Sequence, residues 1–299
     1  MIACTSLYKT FGQVTALDHI DLTIAKGSIY GLVGSNGAGK STLMRTIAGI
    51  YQPDSGELTV EGAPVWEQPA QKQRILLVAD EPYVFSQADL DEMARFYQQF
   101  YLRFDWQQYQ QLADSFSLPR RKKIAHFSKG MKRQAAFLLA VAACPDYLML
   151  DECFDGLDPV KRQVVRKVLA DHVAEGMTAI ISSHNLRELD EICDTVGILH
   201  KGRLLYSKEL DDLKGDVCKL QAVFAAPVEE QALAQSLPLL SMEQRGKFYT
   251  IILRSHPQEA EQLLAPFQPL AVEAYPLTLE EIFLYEMEVL GYDAAVIFQ

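Results

Sequence analysis

Residues Gly34 to Ser41, Gly-Ser-Asn-Gly-Ala-Gly-Lys-Ser, fit the pattern G-x-x-x-x-G-K-[ST]. Glycines let the backbone N–H groups of such a turn point inward around phosphate oxygens. The lysine then reaches the β- and γ-phosphates, and the hydroxyl after it can ligate Mg²⁺. On this reading Gly34, Ser35, Asn36, Gly37, Ala38, Gly39, Lys40, Ser41 and Thr42 form a nucleotide cradle, with Ser41 on the metal. The competing reading, a glycine-rich turn and nothing more, does not account for the order of residue types.

A second cluster lies at Tyr147–Glu152, Tyr-Leu-Met-Leu-Asp-Glu. Four apolar residues make a buried strand, and Asp151 ends it where a carboxylate can hold Mg²⁺ directly or through water. Successive strand residues point to opposite faces, so Asp151 and Glu152 serve one site only if the strand stops there. The following Cys-Phe-Asp-Gly-Leu-Asp-Pro stretch predicts that it does. In isolation an Asp-Glu pair after a strand reads as a helix N-cap pair. Beside the cradle it reads as a site for nucleotide-bound Mg²⁺ and an attacking water. His184 follows the apolar run Thr178–Ser183 at another strand end. It is either a structural histidine or a donor to a γ-phosphate oxygen in contact with that water.

The third cluster is Phe-Ser-Lys-Gly-Met-Lys-Arg-Gln, residues 127–134. Ser128 and Gly130 are turn and cap residues, and the segment from Met131 to Ala143 holds no glycine or proline. A helix start carries about half a positive charge and unpaired N–H groups, and so attracts an anion. The surrounding Leu118–Arg133 carries seven Lys or Arg and no acid. Three readings fit it: a localisation or nucleic-acid patch, a solvated face, or a field that gathers a polyanion at the helix start.

These clusters need elements to hold them. Ser28–Gly34 is a short buried strand entering the cradle, and a helix follows from Lys40. The first 27 residues alternate as strands with a turn at Lys26-Gly27, Ser55–Val65 reads as a hairpin, and Arg74–Asp80 as a buried strand. From Leu90 to about Ala143 the pattern is helical and rich in aromatics, most of them core and a minority forming a groove for a partner helix. Strands return at Tyr147–Asp151, Thr178–Ser183 and Thr195–His200 with helices between them, which predicts a largely parallel sheet covered on both faces. Beyond Lys214-Gly215, Val217–Ala225 and Lys247–Arg254 read as strands and His256–Phe267 as a helix. A closing helix has Thr278 as N-cap and Glu281 placed for a capping box.

Composition bounds the partners. The 299 residues carry a net charge of −11, and residues 216–299 hold twelve acids against four bases, which argues against nucleic acid or anionic lipid there. Five scattered cysteines without a CxxC pair fit reduced thiols better than disulfides or zinc. The longest apolar run, Ala135–Cys144, is far short of the ~20 residues of a membrane span. The chain is expected to be cytoplasmic.

Taken together, these motifs resemble the ATP-binding subunit of an ATP-binding cassette (ABC) transporter. The resemblance covers residues 1 to about 215: Asp151 falls 111 positions after Lys40, and Ser128 falls 23 before Asp151. It implies an α/β fold of the P-loop NTPase ABC type, with a mostly parallel core sheet, an N-terminal antiparallel β subdomain and an inserted helical subdomain at about 88–145. Residues 216–299 are expected to form a small C-terminal α/β accessory domain.

The resemblance also implies roles. Ser128 and Gly130 match the serine and second glycine of a signature commonly Leu-Ser-Gly-Gly-Gln, which contacts the γ-phosphate of ATP on the other subunit. Phe11 matches the aromatic that stacks on adenine, Asp155 and Asp158 the loop crossing the dimer, Glu152 the residue polarising water, and His184 the switch histidine. Asp80 stands where the family has a glutamine that senses Mg²⁺ and the membrane subunit. Lys129, Met131 and Cys153-Phe154 also depart from the family pattern. With Lys40, Asp151, Glu152 and His184 intact, hydrolysis of ATP with Mg²⁺ is expected, Asp151, Ser41 and Asp80 being the metal candidates.

Two such subunits, identical or not, would close head-to-tail and drive a separate transmembrane permease from the cytoplasmic face, with no nucleic acid involved. The tail Pro276–Glu288 resembles ATPases of exporter-like systems with separate permeases, which points to a drug, peptide or lipid-like cargo. It reads equally as an amphipathic closing helix. The alternative function is a non-transport ABC ATPase in translation, DNA maintenance or cluster assembly.

Overall fold

The computed structural model describes residues 1–154, 156–275 and 277–289. The chain divides into two compact units, Met1–Ser207 and the stretch from Lys208 onward. The division lies eight residues before the Gly215/Asp216 boundary that composition suggests.

In the first unit the elements run β1 (Ile2–Phe11), β2 (Val14–Ile24), β3 (Ile29–Val33), α1 (Lys40–Ile47), β4 (Ser55–Val60), β5 (Ala63–Pro64) and a short α2 (Pro69–Lys72). There follow β6 (Ile75–Val78), α3 (Leu90–Phe100), α4 (Trp106–Ser115), α5 (Lys129–Ala142), β7 (Tyr147–Asp151), α6 (Pro159–Ala174), β8 (Thr178–Ser183), α7 (Leu186–Asp190) and β9 (Thr195–His200). The last strand, β10 (Arg203–Glu209), runs across the division.

Two sheets result. An antiparallel one has the order β2-β1-β4-β5, and the six-stranded core sheet has the order β10-β9-β3-β8-β7-β6. Within the core sheet β3 pairs in parallel with β8 and β9, and β7 with β6 and β8. Every residue of β3, β7 and β8 is buried, as a parallel strand covered on both faces requires. This sets the carboxyl ends of β3, β7 and β8 side by side, where sites on such sheets form.

The helices begin where short polar side chains can satisfy first-turn N–H groups. Asp89 and Glu92 form a reciprocal capping box at α3, and Asp105, Ser128, Asp158 and Asn185 cap α4, α5, α6 and α7. The helical stretch expected from Leu90 to about Ala143 is interrupted. Between α4 and α5 only Ile124–His126 makes a 3₁₀ turn, after Ser117 takes a positive φ of 55° and Pro119 follows. Of the aromatics expected in the core, Phe104, Tyr109 and Phe116 are buried, whereas Phe100 is exposed.

The second unit comprises α8 (Leu210–Asp216), β11 (Cys218–Phe224), α9 (Glu230–Ala234), β12 (Leu239–Arg245), β13 (Phe248–Leu253), α10 (Pro257–Leu264), β14 (Pro269–Tyr275) and α11 (Leu279–Val289). Its antiparallel sheet has the order β12-β13-β11-β14. Alternate residues Cys218, Leu220, Ala222 and Phe224 of β11 join Tyr249, Ile251 and Leu253 in a core closed by Leu233 of α9 and Ala260 and Leu264 of α10. The capping box at the closing helix is present: Thr278 N donates to Glu281 Oε2 at 3.0 Å, and Glu281 N to Thr278 Oγ1 at 3.2 Å. Glu281 also pairs with Lys219 of β11 at 2.6 Å. No helix among the described residues is long and apolar enough to cross a membrane.

Candidate active site

The loop between β3 and α1 is shaped by glycine. Gly37 and Gly39 have φ of 79° and 109°, conformations that L side chains rarely adopt. A Cβ on Gly39 would lie 2.5 Å from the carbonyl oxygen of Ala16 in β2. Gly39 also precedes α1 without any side-chain cap, so first-turn N–H groups of that helix have no protein side chain to satisfy them. Gly39→Ala is therefore expected to destabilise the unit by at least about 1–3 kcal/mol and to weaken nucleotide binding. Thermal melts with and without ATP check this; an unchanged melting temperature with full ATP protection would contradict it.

Lys40 is buried, and its ammonium stays within the loop: Nζ donates to the carbonyl oxygens of Gly34 at 2.5 Å and Ser35 at 3.3 Å. It also lies 3.6 Å from Glu152 Oε1. The other Glu152 oxygen, Oε2, is hydrogen-bonded to His184 Nδ1 at 2.9 Å. One carboxylate thus bridges the cradle lysine and the histidine after β8. Glu152 is mostly buried, whereas the His184 side chain is 52% exposed and faces solvent.

How two adjacent acids reach one site is settled by the backbone. β7 ends at Asp151, and Glu152 takes φ = 50°, which breaks strand alternation. Such a left-handed non-glycine residue costs about 1–3 kcal/mol and must be held by its surroundings. Ser182 holds it: Glu152 N donates to Ser182 Oγ at 3.1 Å and to Ser182 O at 3.2 Å. The Ser182 hydroxyl in turn donates to Asp151 Oδ1 at 2.5 Å. Sequence reasoning passes over Ser182; its only local signal is that β8 ends Ser-Ser instead of continuing apolar.

A polar chain continues from here. Ser183 Oγ donates to buried Glu188 at 3.3 Å and accepts from Asn185 N at 2.9 Å. Glu188 pairs with Arg162 at 3.1 Å, and Arg162 Nε donates to the carbonyl of Leu157 at 3.1 Å. The segment before α6 is therefore linked to the one bearing His184. Burial pushes the thiol of Cys153 above the ordinary thiol range.

The other expected residues sit in separate groups. Ser128 caps α5, accepting from Met131 N at 3.2 Å, and a Cβ on Gly130 would lie 3.2 Å from the carbonyl of Gly156. The Ser128 helix start and the loop before Asp158 thus touch within one chain, while Asp158 itself caps α6 through Lys161 N at 3.0 Å. Asp155 lies outside the described residues.

Phe11 is 44% exposed at the end of β1, edge-on to Tyr51 at 5.1 Å, with Lys9 Nζ 5.4 Å above its ring. Asp54 fixes this end of the sheet, accepting from Lys9 Nζ, Thr10 N and Thr10 Oγ1, each at 2.7 Å. These bonds hold the Asp54 carboxyl down at about 2. Tyr51 is a neighbour that spacing alone does not reveal.

Asp80 lies against α5. Its carboxylate is bound by the guanidinium of Arg133 in α5, and its carbonyl accepts from Arg133 Nε at 3.3 Å. Among the described residues no three His, Cys, Asp or Glu side chains form a metal-holding group. Donors that fit a nucleotide-bound Mg²⁺ are Ser41, at the start of α1, and Asp151, oriented by Ser182.

Comparisons with known proteins agree with this geometry. A family model described as "ABC transporter" matches residues 17–155. The ABC transporter ATP-binding protein YtrB of Bacillus subtilis is 32% identical over 285 residues, covering 95% of this chain and 97% of that protein. The chain belongs to the ABC transporter ATP-binding family. It is an ATP-binding subunit and an ATPase coupled to transport. The lantibiotic transport ATP-binding protein SrtF of Streptococcus pyogenes is 30% identical over 221 residues, 71% of this chain and 92% of its own length. Among solved structures, an ATP-binding subunit of an ABC transporter superposes with a TM-score of 0.66 at 28% identity, covering 72% of this chain and 92% of that one.

Proposed function

We propose that this ABC ATPase powers an exporter-type transporter whose permease is a separate chain, and that the cargo is a drug, peptide or lipid-like molecule. The observation that carries the catalytic half is Glu152 held between Lys40 and His184. Glu152 orients a water and takes its proton as the water attacks the γ-phosphorus of ATP. Lys40 neutralises charge on the terminal phosphates, and His184 steadies Glu152 and donates toward the γ-phosphate. Bound Mg²⁺, held by Ser41 and Asp151, would supply further neutralisation of phosphate charge.

The Ser128 helix start is capped but carries no acidic side chain in its first turn, and it takes the γ-phosphate of ATP bound to a second subunit. Phe11, beside Tyr51, offers a ring for adenine to stack on. Two subunits, identical or not, close head-to-tail and reopen on hydrolysis.

A transport role is supported by the names of the relatives YtrB and SrtF, and the peptide class of cargo by SrtF. A docking place for the permease is supported by a groove of about 670 Å³ lined by Ile50, Tyr83, Phe85, Phe96 and Phe100. Four of these rings pack edge to face, Tyr83 on Phe85, Phe85 on Phe96 and Phe96 on Phe100, and Ile50, Tyr83 and Phe100 are exposed. Such an apolar surface suits an amphipathic helix of a membrane protein at the cytoplasmic face.

The test is recovery of the full-length protein with membranes of its own host. Phe100→Asp is expected to reduce that recovery at least about tenfold while the ATPase rate of the isolated protein stays within twofold. Recovery with ribosomes in place of membranes, indifferent to Phe100→Asp, would favour a non-transport role.

A further inference from the structure

Seven Lys and Arg lie between Leu118 and Arg133, and of these Arg133 alone is buried. A buried guanidinium needs a partner that compensates for lost water, and removing that partner is costly. Asp80 is such a partner, bound through both its carboxylate and its carbonyl oxygen. The Asp80 side chain is itself half-exposed, so the pair sits at the edge of the fold with the arginine inward.

Three segments meet at Arg133. It lies five residues into the chain from Ser128, on the helix that Ser128 caps. Its Nη1 is 3.6 Å from where a Cβ on Gly156 would be, and Gly130, one turn earlier on the same helix, faces the Gly156 carbonyl. Asp80 is the second residue of the connection from β6 to α3, and three and five residues further along that connection lie the groove rings Tyr83 and Phe85.

We infer that Asp80 and Arg133 act as one positioning unit, tying the β6–α3 connection to the Ser128 helix and the loop at Gly156, and that Asp80 is not a metal ligand. A carboxylate committed to a buried guanidinium gives up that ion pair if it turns to a cation, at a cost in stability. The unit makes the start of α5 and the groove connection move together. Transmission from an occupied groove rests on the docking role proposed above; the pairing itself does not.

A double-mutant cycle on the full-length protein tests this, with Asp80→Asn, Arg133→Gln and the two combined. Steady-state ATPase is measured across Mg²⁺ concentration at saturating ATP, and ATP-driven dimerisation by sedimentation in the Glu152→Gln background. Each single change is expected to lower turnover and dimerisation about five- to thirtyfold, and the combination no further than the worse single, because contacting residues couple. Half-saturating Mg²⁺ is expected to stay within threefold of wild type.

A larger rise in half-saturating Mg²⁺ for Asp80→Asn would make Asp80 a metal ligand, and losses that multiply would make the two residues independent. Either result overturns the proposal. If Arg133→Gln does not fold, Arg133→Lys takes its place in the cycle. Multiplying losses would leave the docking role standing, whereas Phe100→Asp protein that still binds membranes would remove that role and leave the pairing intact.

Discussion

Glu152→Gln is expected to lower ATP turnover about 10²–10⁴-fold, the range lost when a positioned general base is removed. The substitution preserves size and leaves the backbone bonds to Ser182 in place, so the φ of 50° remains supported. Lys40 keeps its two carbonyl partners, so the cradle does not lose its own anchor. ATP binding should therefore survive, and the protein should accumulate as an ATP-loaded dimer. Single-turnover hydrolysis with sedimentation velocity checks both halves. Wild-type turnover would remove Glu152 from the role of base.

Lys40→Ala is expected to act at the binding step. The ammonium offers charge-assisted hydrogen bonds, each worth about 1.5–3 kcal/mol, and two to phosphate oxygens would be lost. A loss of about 3 kcal/mol or more corresponds to at least ~150-fold weaker ATP binding. The variant also leaves the Gly34 and Ser35 carbonyls without their donor and Glu152 without the cation 3.6 Å away. Lys40→Arg should not restore function, because a planar, bulkier guanidinium replaces a compact charge in a buried slot. Titration calorimetry with ATP reads the effect directly; affinity within tenfold of wild type would contradict the assignment.

The cradle, the acidic end of β7 and the helix start at Ser128 were legible because each is local. Glycine spacing, an apolar run ending in acids and a cap before helix formers all lie within ten residues. What is not local left no mark of that kind. Arg133 sits 53 residues from Asp80, inside a basic run that reads as a solvated face. Ser182 lies 31 residues from Asp151 and only supports what Asp151 does. In the second unit β12 and β14 escape a pattern reading because both are edge strands, only half-buried or exposed, so their alternation is weak. The break between α4 and α5 combines a positive φ at Ser117, which no residue type there demands, with Pro119, whose helix-breaking signal was legible.

The three bonds that Asp54 accepts at the end of β1 bear on behaviour in acid. Its carboxyl has a folded value of about 2 against 3.8 for the free group. The contribution of these bonds is essentially complete above the unfolded value and is lost progressively as pH falls from there through about 2. Mild acidification, to pH 4 or so, should therefore leave the sheet margin that presents Phe11 seated and its ring environment unaltered. Loosening of this margin belongs to strongly acidic solution.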